Sequence, residues 1–166
     1  MKGPALLLFF MILTMISYGQ KKGYGMIGFD VGFPQNTSTS VHTGFGVSAG
    51  YERQIHSRLT WLVQTGYLHF KVDNAGNFSN NYLYAFVPIV LGLKYYPVES
   101  FKGFYIEADA GTTVVYEDVP FIPTQTMERF TFAPAIGYHF KDVELSFRAN
   151  LVQNYPYLGL RLAGKF

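Results

Sequence analysis

Glu107 and Asp109 stand two residues apart in FYIEADAG, so in an extended chain their carboxylates project from one face. Paired carboxylates can serve as general acid and base when their surroundings push their proton affinities apart. Three arginines, Arg129, Arg148 and Arg161, fall on the matching polar parity of later segments, and Glu144 shares that parity with Arg148. Guanidinium groups facing carboxylates tie them up as ion pairs, so the favoured reading is a structural network of Glu107, Asp109, Arg129, Glu144, Arg148 and Arg161. The four histidines, His42, His56, His69 and His139, show no metal-ligand spacing, and three fall at or near expected strand ends or turns. Without cysteine, a thiolate metal site, a disulfide framework and a Cys nucleophile are all excluded. Gly23, Gly25, Gly28 and Gly32 alternate along an extended segment and open no helix, so they do not form a phosphate-binding loop. The chain therefore offers no catalytic, cofactor-binding or metal site, and no cofactor is expected.

The elements that position these residues read as strands. The 166 residues carry 13 Lys+Arg against 11 Asp+Glu, a balance that argues against a nucleic-acid partner. Charged residues make up 14% and aromatics 18%, so the chain has apolar surface to hide and is not disordered. Met1-Lys2 precedes an apolar run over residues 5–16, and Ser17-Tyr18-Gly19 places small residues before a cut at Gln20. This is the anatomy of a secretory signal peptide, residues 1–19. The run is short of the ~20 residues that span a bilayer as a helix. Residues 20–166 are expected to form one domain.

Period-two alternation recurs in segment after segment. Ile27, Phe29, Val31 and Phe33 oppose Met26, Gly28, Asp30 and Gly32. The same pattern runs through 44–52, 103–116, 128–140, 143–151 and 157–166. Two segments are less tidy. In 58–72 the apolar residues switch parity between Tyr67 and Leu68, which suggests a bulge, and 82–96 is apolar on both faces. Loops are expected at 34–41, 73–81, 117–126 and 153–156, with turns at 54–57, 97–102 and 141–142. The expected fold is all-β: an eight-stranded antiparallel up-and-down transmembrane β-barrel.

Period two does not say which face is wet. The polar face is rich in Gly, Ala and Ser, as a narrow interior requires. Its charges nearly balance: Asp30, Glu52, Glu107, Asp109 and Glu144 against Lys94, Arg129, Arg148, Arg161 and Lys165. Aromatics sit near segment ends, at Tyr24, Phe33, Tyr51, Tyr67, Tyr95, Tyr116, Phe130, Tyr138, Phe140 and Tyr157, as interfacial girdles do. The polar face is thus placed inside and the apolar face in lipid. A lumen of eight strands is filled by side chains, which disfavours a diffusion channel. Pro88 and Pro134 cannot donate to a ladder and are expected to mark local breaks, either bulges or a lateral or docking seam.

The blocks YLYAFVPIVLGLKYYP (82–97), KGFYIEADAGTTVVY (102–116) and YLGLRLAGKF (157–166) resemble the small outer-membrane β-barrel family of Gram-negative bacteria. These are the porin-family or PorT-like barrels, related in architecture to OmpA and OmpX. The resemblance implies an integral outer-membrane protein in contact with lipid; the peptidoglycan-binding domain that follows the barrel in full-length OmpA is not expected here. It implies that Phe166, at the end of an alternating last strand, is an assembly signal read by the barrel-assembly machinery. The resemblance is specific for fold and location and poor for activity; the favoured role is non-enzymatic, structural or interactive, with a protein partner met through loops or the lipid-facing wall. One alternative is an accessory subunit of a larger secretion or assembly complex. Another is a lipid A-modifying enzyme, for which His69 and His42, with Ser40, Asp73 and Ser79, lie nearest the outer rim, although no His-x-Ser pattern is present.

Overall fold

A computed structural model of the chain describes residues 23–35, 40–73, 82–98, 102–118 and 125–166. The expected signal peptide lies outside the described residues, as does Ser79. Eight long strands are present: β1 (Gly23–Pro34), β3 (Gly44–His56), β4 (Leu59–Asp73), β5 (Tyr82–Tyr95), β6 (Gly103–Asp118), β7 (Gln125–Phe140), β8 (Val143–Val152) and β9 (Tyr157–Lys165). A two-residue β2 (Ser40–Val41) adds to the edge of β4. Each long strand pairs antiparallel with its sequence neighbour, and β1 pairs with β9 from Met26↔Lys165 to Pro34↔Tyr157. That last ladder closes the sheet into a barrel, so no long strand has a free edge.

Strands of nine to sixteen residues suit the sequence, since aromatic and β-branched side chains fit a pleated surface. They also suit a membrane, which a tilted strand crosses in about 9–11 residues. The two faces differ in polarity, and the usual sense is inverted. Ile27, Leu91 and Phe130 are 60%, 63% and 62% exposed, while Lys94, Asp109 and Glu144 are 0% exposed. Burying charge and displaying large apolar side chains all round the wall is untenable in water and is what lipid requires.

The chain begins β1 and ends β9 at one end of the barrel, which also carries the connections at 57–58, 96–102 and 141–142. The β7–β8 turn is the expected Lys141-Asp142 pair, with Lys141 in the left-handed region at φ 54°. The other strand ends, Pro34, Gly44, Asp73, Tyr82, Asp118, Gln125, Val152 and Tyr157, lie at the opposite end. Strand β3 runs on to His56, so the turn expected at 54–57 shrinks to 57–58. Its one ladder irregularity lies between Gln54 and His56.

Three expectations need correction. Strand β4 has no bulge: its register with β5 is constant from Leu59↔Tyr95 to Val72↔Tyr82. Leu68 and Phe70 simply point inward, because the far half of the lumen is filled by apolar rings instead of ions. The prolines do not make bulges either. The β4–β5 ladder skips the rungs opposite Val87 and Pro88, and the β7–β8 ladder skips those opposite Ala133 and Pro134, yet both resume in the same register. The breaks are real; the backbone around them is regular. Finally, Tyr24 and Tyr157 are not girdle residues. Tyr157 is buried in the lumen, and Tyr24 lines a cavity at the terminal end.

Candidate functional site in the barrel interior

The terminal half of the lumen is an ionic cluster. Lys94, on β5, lies directly opposite Glu107 on β6, their Nζ and Oε2 atoms 3.3 Å apart. Its Nζ also donates across the lumen to Glu52 Oε2 at 2.9 Å and to Glu144 Oε2 at 2.8 Å. The ammonium sits over the Tyr105 ring, 4.5 Å from the centroid. Lys165 bridges the same two carboxylates, reaching Glu144 Oε2 at 2.6 Å and bonding Glu52 Oε1. Arg148 binds Glu107 and reaches Asp109 Oδ2 at 2.9 Å. Arg161 pairs with Asp30, its cross-strand neighbour on β1, at 3.0 Å. Gln64, from the opposite wall, accepts hydrogen bonds from both arginines, at 3.4 Å from Arg148 Nη2. Buried charges persist only when paired and hydrogen-bonded, and here each ion meets an opposite charge.

Small residues make the room. A Cβ on Gly92 would lie 1.8 Å from Asp109 Oδ1, so the carboxylate lies over β5 only because its rung partner there is glycine. A Cβ on Gly137 would lie 2.3 Å from the Tyr105 ring carbon Cζ, and Tyr105 is fully buried.

The loop half of the lumen is aromatic. Leu68, Phe70, Phe86, Val115, Val152 and Tyr157 form one buried cluster. Phe70 packs against Phe86 at 5.0 Å and against Tyr157 at 5.5 Å between ring centroids. Between the two halves, Thr113 and Thr131 share a hydrogen bond of 2.6 Å. The cavity where the halves meet, lined by Asp30, Gln64, Arg148 and Tyr157 among others, is about 40 Å³. That is room for a water or two. A wider cavity of about 130 Å³ lies at the mouth, lined by Phe70, Tyr84, Phe86 and Tyr155.

Of the residues expected to share a network, Glu107, Asp109 and Arg148 are brought together, and Glu144 joins them through Lys94. Arg161 joins through Gln64. Arg129 stands apart. It faces inward but lies several rungs toward the loops, opposite Thr113, with Met127 Sδ 3.0 Å from its Nη2. Asp30, Glu52, Lys94 and Lys165, visible beforehand only as inward charges, are full members. Gln64 was missed, although with Thr60 and Gly66 it marks the small, polar face of β4. The carboxylates Glu107 and Asp109 are both held by Arg148. Phe166 exchanges backbone hydrogen bonds with Gly25, 2.9 Å and 3.0 Å, and lies in the outward set of β9. Its ring covers Gly25, where a Cβ would approach to 2.7 Å. His56 meets Ser57 Oγ at 3.1 Å beside the β3–β4 turn, and His139 packs near Tyr96, 6.4 Å between ring centroids.

Neither a protein-family model nor a curated protein matches the chain. Solved structures do. One is Ail, the attachment invasion locus protein of Yersinia pestis, in complex with the heparin analogue sucrose octasulfate. It matches with a TM-score of 0.59 and 10% identity, over 89% of this chain and 100% of that one. The outer membrane protein OprG from Pseudomonas aeruginosa matches with a TM-score of 0.56 and 12% identity, over 89% and 98%. Neisserial surface protein A matches with a TM-score of 0.54 and 16% identity, over 89% and 100%. At such identities the likeness speaks to the backbone alone, and a fold of this kind hosts more than one activity. The chain has the closed, eight-stranded antiparallel fold of outer-membrane β-barrels.

Proposed function

We propose that this protein is an integral outer-membrane barrel of a Gram-negative bacterium, without enzymatic activity, that acts as a structural or interaction protein through its rim and outer wall. The observation that carries the reading is the filled lumen. Lys94 and Tyr105 in the ionic half and Val115 in the aromatic half are all 0% exposed, so among the described residues side chains plug both halves. A barrel that conducts nothing works at its surfaces. Residues 1–19 act as the export signal in this reading, and Phe166 as the feature recognised by the barrel-assembly machinery.

Two measurements on the full chain test it. The protein should fractionate with the outer membrane and migrate faster unheated than heated in detergent gels, because the closed ladder resists detergent. Reconstituted in planar bilayers it should give no sustained channel currents. Recovery as a soluble periplasmic protein, or steady porin-sized conductance, would overturn the proposal.

A further inference from the structure

We infer that the barrel mouth opposite the chain termini carries a binding site for a methylated ammonium group: an aromatic cage of Phe70, Tyr84, Phe86, Tyr155 and Tyr157, with Glu117 as its counter-charge. The cage is the cavity of about 130 Å³ above the aromatic half of the lumen. Phe70, Phe86 and Tyr157 are buried and form its floor, with the Phe86 and Tyr157 rings 5.8 Å apart between centroids. Tyr84 is one inward position nearer the mouth than Phe86, and Tyr84 and Tyr155 stand partly buried against that floor. Their rings are 6.1 Å apart, and Tyr155 meets Phe86 edge-on at 5.9 Å.

The β8–β9 connection is tied down on several sides, so the cage is formed before a guest arrives. The Tyr155 amide donates to the Val152 carbonyl at 2.9 Å, and the Gln153 amide to the Phe130 carbonyl at 3.2 Å. The Gln35 amide, just beyond β1, donates to the Pro156 carbonyl at 3.0 Å. Asn154 turns the chain between them in the left-handed region at φ 69°, which asparagine adopts more readily than most residues. The Tyr155 hydroxyl donates to Glu117 and fixes the ring across the mouth. Ordering that is already complete is not charged against binding.

Size, polarity and charge select the guest. An apolar cavity of ~150 Å³ holds one benzene, so this one takes a single compact group of similar bulk. Aromatic faces are electron-rich and attract a cation seated on them. Glu117 lies directly opposite Tyr84 and accepts from Tyr155, so one carboxylate borders both wall tyrosines. No lysine, arginine or histidine is among the described residues that line the cavity. Arg129 lies opposite Thr113, two inward positions deeper than Glu117. A primary ammonium is a compact charge that holds its water strongly. Methylation spreads the charge over apolar surface, which leaves water more readily and packs on rings. A neutral apolar group would fill the cavity and leave Glu117 idle, so the occupant is the methylated cation.

Isothermal titration calorimetry on the full-length barrel tests this, in maltoside micelles that bring no ammonium or amine-oxide head of their own. The probes are choline, phosphocholine, ethanolamine and 3,3-dimethylbutanol, the last being choline with carbon in place of nitrogen. Choline should bind at least tenfold more tightly than dimethylbutanol and than ethanolamine. Glu117→Gln keeps an acceptor for Tyr155 and removes the charge; it should weaken choline three- to tenfold and leave dimethylbutanol unchanged. Tyr84→Leu should weaken choline severalfold, Tyr84→Phe should keep most of the affinity, and Lys71→Ala on the outer wall should change nothing. Phosphocholine binding more tightly than choline would assign the guest to a phospholipid headgroup, and the reverse order to a free compound; either supports the cage. Equal affinity for choline and dimethylbutanol, no heat from choline at millimolar concentration, or an unchanged choline preference in Glu117→Gln would overturn it. The inference goes beyond the interaction role proposed above and needs only the folded barrel. A parent protein with the fast unheated gel band that ignores choline refutes the cage alone, whereas absence of that band refutes the closed barrel.

Discussion

Replacing Arg148 with leucine should destabilise the barrel strongly, and the contacts say by how much. Arg148 is buried and holds two carboxylates, Glu107 and Asp109, besides donating to Gln64. After substitution Glu107 keeps Lys94, 3.3 Å away. Asp109 loses the cation that it touches, in a site with no access to water. Removing one member of a buried pair typically costs about 3–5 kcal/mol. With Asp109 left without its contact, a cost within that range is expected. The protein has a single tryptophan, Trp61, packed against Tyr51 on the outer wall at 5.9 Å between centroids. Its fluorescence reports insertion, so denaturant unfolding from lipid vesicles gives the free-energy change directly. Lys71→Leu, at an exposed rim position, should stay within about 0.5 kcal/mol of the parent. Adding Asp109→Asn to Arg148→Leu should recover much of the loss, since the unpaired charge goes with it. A cost below about 1 kcal/mol for Arg148→Leu, or equal costs for Arg148→Leu and Lys71→Leu, would mean that the interior is hydrated and the reasoning wrong.

Three further outcomes are expected. Deleting Phe166 should lower the amount of protein in the outer membrane and leave protease-sensitive periplasmic material, while inserted copies keep near-normal heat stability. Normal insertion with lowered stability would make Phe166 an anchor only. Gly92→Ala should cost about 1–3 kcal/mol in the same unfolding assay, because its Cβ would sit 1.8 Å from Asp109 Oδ1; a neutral result would show that the Asp109 carboxylate is not fixed there. Tyr155, in the β8–β9 connection, donates its hydroxyl to Glu117, and burial first and that carboxylate second push its phenol up to about 12. The folded state thus favours the protonated phenol. Its stabilising contribution is complete below pH 10 and is lost as the pH climbs toward 12. Tyrosinate absorbance of the parent minus Tyr155→Phe should rise near pH 12, and a rise near pH 10 would contradict the contact.

Much of this architecture is legible in residue alternation. In β1, β3, β6, β7, β8 and β9 the apolar parity is the lipid face, and the opposite parity carries the ions. Strand β4 defeats that logic because its inward residues change character along the lumen, from Gln64 to Leu68 and Phe70. A parity switch in hydrophobicity then mimics a bulge, although the backbone is regular. Strand β5 carries apolar residues on both faces for the same reason, with Phe86 and Val90 inside and Ile89 and Leu91 outside. Parity also says nothing about height. Arg129 shares the inward face with Arg148 but lies among the aromatic half, away from the carboxylates it was expected to meet. Lys94 became the hub because Glu52 and Glu144 reach it across the lumen, and pairings of that kind depend on closure and stagger instead of spacing.

The central claim is that one continuous apolar wall faces lipid around a sealed interior. The chain has no cysteine, so single cysteines can be placed at Ile27, Leu91, Phe130 and Leu162, on β1, β5, β7 and β9. Spin labels at these sites, with the full protein in lipid vesicles, report collisions with oxygen, which concentrates in hydrocarbon, and with a nickel chelate, which stays in water. All four labels should show high oxygen and low nickel collision rates. High nickel rates with low oxygen rates at these positions would turn the barrel inside out and contradict the account.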